Sequence, residues 1–84
     1  KGKIVSLSPN EMKMLLFLMH NEGKALSRDE LLNQIWGYND EVETRVTDET
    51  LRRIRSKLSA ADSDILIETV WGYGYRLRLK GDGV

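Results

Sequence analysis

Cysteine is absent from this 84-residue chain, and histidine and proline occur once each. Without cysteine there is no disulfide framework, no thiolate zinc site and no cysteine nucleophile. With His20 as the sole imidazole, a nucleophilic triad has one candidate base, and no serine sits in a nucleophile-elbow context. A metal site would need carboxylates alone. Those of Asp40, Glu41 and Glu43, and of Asp62 and Asp64, lack calcium-loop spacing. No metal, no cofactor and no catalysis are expected. Apolar runs approaching the ~18 residues of a membrane span are missing, and Lys1-Gly2-Lys3 does not lead into a signal peptide. A cytoplasmic setting without membrane contact is expected. Net charge is missing too, because 13 Lys and Arg balance 13 Asp and Glu. Nucleic-acid binders tend to be basic overall, so the charge must be followed along the chain.

What remains is one domain over 1–84, its core spanning about 7–79. The hydrophobic fraction of 40% suits one modest core, and the 31% charged fraction argues against disorder. Lys3 to Leu7, with β-branched Ile4 and Val5, predicts a short strand. Ser8-Pro9-Asn10-Glu11 is a capping box that starts a first helix. Met12, Leu15, Leu16 and Met19 give that helix an apolar face, and Asn21-Glu22-Gly23 ends it. Ser27-Arg28-Asp29-Glu30 is a second capping box, followed by Leu31, Leu32, Ile35 and Trp36 and closed by Gly37. Lys24-Ala25-Leu26, between the helices, has room for a minor strand only.

Residues 37–44 form an acidic loop. A third helix is expected from near Thr44 to about Leu58, burying Thr47, Leu51, Ile54 and Leu58. Ser59 to Asp64 is a polar break. Ile65 to Val70 reads as a strand, Trp71-Gly72-Tyr73-Gly74 as a turn, and Tyr75-Arg76-Leu77-Arg78-Leu79 as a half-buried strand of period two. The tail 81–83 is expected to fray. Three helices and a hairpin predict an α+β winged helix-turn-helix. Its expected core is Leu15, Leu16, Leu31, Ile35, Trp36, Leu51, Ile54, Leu58, Val70 and Tyr75.

The third helix explains the neutral average. Between Arg45 and Lys57, Arg45, Arg52, Arg53, Arg55 and Lys57 outnumber Asp48 and Glu49. On a helical wheel Arg45, Glu49, Arg52, Arg53 and Ser56 lie opposite the apolar stripe. Arginines so arranged can hold phosphates or read guanine. Any solvated helix also shows a charged outer face, so the pattern permits DNA binding without requiring it. Glu49 would repel phosphate unless it accepts from a cytosine amino group or orients an arginine. Trp71 and Tyr73 stand at the hairpin tip, where Trp71 either folds back over the core or extends a wing to a groove.

Thr44-Arg45, Leu51-Arg52-Arg53-Ile54-Arg55-Ser56-Lys57-Leu58 and Glu68-Thr69-Val70-Trp71-Gly72-Tyr73-Gly74-Tyr75-Arg76-Leu77 resemble the OmpR/PhoB-type response-regulator effector domain. Leu7-Ser8-Pro9-Asn10-Glu11, Ser27 to Leu32 and Trp36-Gly37 match that family's first two helices. The resemblance covers about Leu7 to Leu79. It implies a two-component transcription factor that binds DNA in a sequence-specific manner. A phosphorylated receiver domain, absent from this chain, would bring two copies onto repeated half-sites of double-stranded DNA. Arg45, Glu49, Arg52, Arg53, Ser56 and Lys57 would then serve the reading helix, with Thr69, Trp71 and Tyr73 on the wing. The 37–44 loop, with Tyr38, Asp40, Glu41 and Glu43, would touch RNA polymerase. Lys3 to Leu7 would be the last strand of an N-terminal sheet. Two departures stand out: Trp71 replaces a frequent arginine, turning a charged minor-groove contact into an apolar or stacking one, and Glu49 replaces a residue that is often neutral. The competing reading is a protein-interaction module built on the acidic loop and the aromatic tip.

Overall fold

The computed structural model describes residues 6–37 and 45–80. In chain order these form α1 (Pro9–His20), β1 (Leu26–Ser27), α2 (Arg28–Trp36), α3 (Arg45–Ala60), β2 (Ile65–Val70) and β3 (Gly74–Leu79). The predicted N-terminal strand and the frayed tail lie mostly outside the described residues, and Ser6 and Leu7 are not in a strand.

Both capping boxes close as expected. The Ser8 amide donates to Glu11 Oε1 at 3.0 Å and the Glu11 amide to Ser8 Oγ at 3.3 Å. Ser27 and Glu30 repeat the exchange at 2.9 and 3.0 Å. Each box satisfies two of the amides a helix start leaves without partners. At the other ends Gly23 and Gly37 take φ of 83° and 76°, a left-handed backbone that glycine adopts without steric cost. The Gly23 amide also donates to the Leu77 carbonyl at 2.9 Å, tying the end of α1 to the sheet.

The sheet is antiparallel in the order β1–β3–β2. Ile65 pairs with Leu79 and Val70 with Gly74, so Trp71-Gly72-Tyr73 form the hairpin loop. The minor strand at Leu26–Ser27 pairs with Tyr75 and Gly74. This pairing explains the second glycine of the turn. A Cβ on Gly74 would lie 2.0 Å from the Leu26 carbonyl oxygen, so any side chain would push β1 off the sheet. Gly72, at φ 75°, supplies the left-handed residue of the turn closed by Tyr73 N to Val70 O at 3.0 Å.

The core gathers Met14, Leu15 and Leu18 of α1, Leu31 of α2, Leu51, Ile54 and Leu58 of α3, and Leu26, Ile67, Tyr75 and Leu77 of the sheet. The expected apolar face of α1 needs correction. Leu16 is 46% exposed, and Met12 and Met19 are also exposed, whereas the buried stripe is Glu11, Met14, Leu15 and Leu18. Residues 12–19 are apolar at every position except Lys13, so periodicity offers two stripes of nearly equal hydrophobicity. Tertiary contact chooses between them. Met14 and Leu18 are fully buried in the core, and on the same face Glu11 accepts from Lys57 Nζ at 2.6 Å. Ile35, Trp36 and Val70, also expected in the core, are half-buried at its edge.

Candidate nucleic-acid interface

α3 spans 16 residues, about 24 Å at 1.5 Å per residue. Its inner stripe of Thr47, Thr50, Leu51, Ile54 and Leu58 is buried. Its outer face carries Arg45, Glu49, Arg52, Arg53 and Ser56, and all five are exposed. Arg52 and Arg53 make no hydrogen bond or ion pair among the described residues. The two arginines thus stand a turn or less apart on a helix whose opposite side is anchored in the core. Their guanidiniums can present bidentate donors outward.

The remaining cations of α3 have structural employment. Lys57, expected at the interface, donates to the buried Glu11 carboxylate, joining α3 to the start of α1. That bond holds the Glu11 carboxyl below the usual glutamate range, with the Ser8 amide adding to the effect against the opposing pull of burial. Arg55 turns toward the sheet. Its Nε donates to the Ile67 carbonyl at 2.9 Å and its Nη2 to Thr69 Oγ1 at 2.9 Å, and its guanidinium lies 5.4 Å from the Tyr75 ring centre. The wing is therefore braced against the helix by one side chain.

A third connection fixes the start of α3. Asp48 accepts from Arg28 Nε at 3.1 Å and from the Tyr75 hydroxyl, joining α2, α3 and β3. Burial and the Asp48 carboxylate both push the Tyr75 hydroxyl up from its ordinary value. The connections made by Arg55, Lys57 and Asp48 were not legible from charge alone. A signal for Arg55 existed, since it follows Leu51 by four residues and so borders the buried stripe.

On the wing, Thr69 is half-buried and Trp71 is 90% exposed, so of the two alternatives left open for Trp71 the one in which it folds back over the core does not hold. Tyr73 is 51% exposed. Arg76 and Arg78 share Glu68, at 3.0 and 3.6 Å, so one carboxylate offsets one of the hairpin's two positive charges and the trio keeps a net positive charge. Of the predicted polymerase-contact residues, Tyr38, Asp40, Glu41 and Glu43 lie outside the described residues. Among the described residues no group of three His, Asp or Glu side chains could hold a metal ion, and no helix is long and apolar enough to cross a membrane.

Three helices, a braced hairpin wing and an outward arginine pair on the third helix define a winged helix-turn-helix domain. The chain belongs to the family described as transcriptional regulatory protein, C terminal, which matches residues 2–77. The response regulator ArlR of Staphylococcus aureus is 43% identical over 77 residues, covering 92% of this chain and 35% of the relative. The chain thus spans about a third of the curated relatives it matches. The DNA-binding domain of Bacillus subtilis CssR is similar in structure, with a TM-score of 0.80 and 34% identity over 90% of this chain and 82% of that one. The Klebsiella pneumoniae RstA DNA-binding domain, solved in complex with the RstA box, gives a TM-score of 0.76 and 33% identity over 92% of this chain and 77% of that one.

Proposed function

We propose that this chain binds double-stranded DNA in a sequence-specific manner, as the effector domain of a response regulator controlling transcription. The observation that carries this reading is the outer face of α3. Arg45, Glu49, Arg52, Arg53 and Ser56 are all exposed on one side of a helix whose other side is buried, and among the described residues Arg52 and Arg53 make no hydrogen bond or ion pair, Arg53 acting only as a nearby charge on Glu11. A major groove about 12 Å wide admits one such helix. Phosphates attract the arginines, and base edges discriminate through their bidentate donors. The RstA neighbour, bound to its own DNA box, supports the same mode for this chain.

Within this reading Arg53 and Arg52 contact base edges or phosphates. Glu49 accepts from a cytosine amino group or steers a neighbouring arginine. Thr69 offers its hydroxyl to a phosphate. Lys57 stabilises the fold rather than meeting DNA. A receiver domain in the same protein, a second copy on repeated half-sites and an RNA polymerase contact through residues 37–44 complete the proposal. The proposal places the protein in the cytoplasm, acting by binding DNA.

Selection from a random duplex library tests the proposal. Convergence on one short motif is the expected result. A pool that binds without enrichment of any sequence contradicts sequence-specific reading.

A further inference from the structure

Tyr75 is buried in β3, at the point where the three strands lie side by side. Its Cα partners are Leu26 on β1 and Thr69 on β2, so these residues form one row across the sheet. The row has little slack on the β1 side, since a Cβ on the neighbouring Gly74 would meet the Leu26 carbonyl oxygen at 2.0 Å. α3 holds the Tyr75 side chain at two points. Asp48, in the first turn of the helix, accepts from the hydroxyl, and the Arg55 guanidinium lies 5.4 Å from the ring centre. Asp48 and Arg55 are seven positions apart, about 10.5 Å of helix at 1.5 Å per residue. Arg55 also donates to Thr69 Oγ1 at 2.9 Å, and so holds the next residue of the row. Contacts this far apart along the axis resist both sliding and rolling of α3 on the sheet. Arg28 Nε donates to the same Asp48 Oδ1 at 3.1 Å and brings the start of α2 into the junction. The hydroxyl stays a donor, because burial and the Asp48 carboxylate both push its pKa up.

We propose that Tyr75 is the positioning residue that fixes the roll of α3 relative to the sheet, and that discrimination between DNA sequences depends on it. The proposal rests on the DNA-binding reading above. Bidentate donation to a base edge needs two N–H groups aligned with two acceptors, and hydrogen bonds weaken steeply as alignment is lost. A phosphate held by charge tolerates the same displacement, because Coulomb attraction falls slowly with distance and has no preferred angle. Releasing Tyr75 from Asp48 therefore costs discrimination and leaves the general affinity for duplex in place. Tyr75, being buried, acts on the bases only through α3.

Two measurements test this with Tyr75→Phe, which keeps the ring, and Asp48→Ala, which removes the acceptor. In the first, the absence of native cysteine allows nitroxide labels on Ser56→Cys and Tyr73→Cys, both exposed positions, to report the distance from helix to hairpin without DNA. A single narrow distance distribution is expected in the wild-type background and a broader one with either substitution. In the second, affinity is read on a selected duplex, on its single-base variants and on mixed-sequence duplex. Each substitution should lower discrimination between the selected duplex and its variants by roughly 3- to 10-fold, the worth of one hydrogen bond. Mixed-sequence affinity and the salt slope should not change. The double variant should be no worse than the poorer single one, since both substitutions break the same bond.

An unbroadened distribution in Tyr75→Phe overturns the positioning role whatever the DNA results. Equal loss of affinity on every duplex, not reproduced by Asp48→Ala, also overturns it and makes the hydroxyl a phosphate ligand. A lower melting temperature with unaltered discrimination overturns it too and leaves Tyr75 as a core residue. Failure of the wild-type chain to bind any duplex defeats the DNA reading and the discrimination with it, while the distance measurement still decides whether Tyr75 fixes α3.

Discussion

Arg55 on the third helix donates to the Thr69 hydroxyl oxygen at 2.9 Å, so the base of the wing is held by the helix it flanks. The consequence for Thr69 is directional. Its oxygen accepts from the guanidinium, which leaves the hydroxyl proton free to be donated to a phosphate. Thr69→Val keeps the side-chain shape and removes that proton. The expected outcome is weaker binding across all duplex sequences alike, an unchanged salt slope and a stability loss of at most about 1 kcal/mol. Anisotropy titrations on several duplexes, with urea melts, check this. A large loss of stability with unaltered affinity would assign Thr69 to the fold alone.

Arg55→Lys keeps the charge but cannot reproduce two divergent donors together with a guanidinium over the Tyr75 ring. Stability should fall by about 1–3 kcal/mol, because the lost bonds are charge-assisted. Urea unfolding measures the loss directly, and a variant as stable as the wild type would show that the brace contributes nothing.

Arg53→Ala should lose affinity at one or two base positions, by about 1–3 kcal/mol, with the other positions unaffected. A panel of duplexes carrying single base changes reads this out. Equal loss on every duplex would make Arg53 a phosphate anchor instead.

The Glu11–Lys57 pair makes an acid prediction. Glu11 has its folded-state pKa lowered, first by the hydrogen bond from Lys57. Its contribution to stability is therefore full above the unfolded glutamate value of about 4.3 and is lost as pH falls through the depressed folded value. Lys57→Gln leaves a buried carboxylate without its cation. The variant should be destabilised by about 1–3 kcal/mol near neutrality and should lose less further stability on acidification below about pH 4.3. Melting curves from pH 7 to pH 3 test the sign, and parallel acid losses in both proteins would contradict it.

Thr47 has a fully buried hydroxyl with no hydrogen-bond partner among the described residues. Thr47→Val replaces it with a methyl group of similar shape. The expected gain is about 1 kcal/mol of stability, read by urea unfolding. A loss of similar size would reveal a partner for the hydroxyl outside the described residues.

How far the sequence could be read depended on whether one physical signal dominated each segment. The helix starts at Ser8 and Ser27 were legible because a capping box is a local exchange between residues three apart. The outer face of α3 was legible because charge on one side and Leu51, Ile54 and Leu58 on the other leave a single orientation. α1 was misjudged because Met12, Leu16 and Met19 compete with Met14 and Leu18 at the same period. The choice between them rests on contacts remote in sequence, the packing of Met14 and Leu18 into the core and the bond donated to Glu11 by a lysine 46 residues away. The same distance hid the structural roles of Lys57 and Arg55. A long cation on an amphipathic helix can reach inward as easily as out, and only the fold shows which acceptor waits for it. Gly74 was legible as a turn residue, but its approach to the Leu26 carbonyl depends on a two-residue strand too short to be weighed in advance.

Fluorescence anisotropy of the chain with mixed-sequence duplex DNA, stepped upward in salt from low ionic strength, tests the central claim most directly. Binding that weakens steeply, with a linear fall of log affinity against log salt, is the predicted result, since arginines on phosphates release counterions. Flatter slopes are expected for Arg52→Ala and Arg53→Ala if each also touches phosphate. Absence of binding at low salt, even at high protein concentration, would contradict the account and favour a protein-interaction role for this fold.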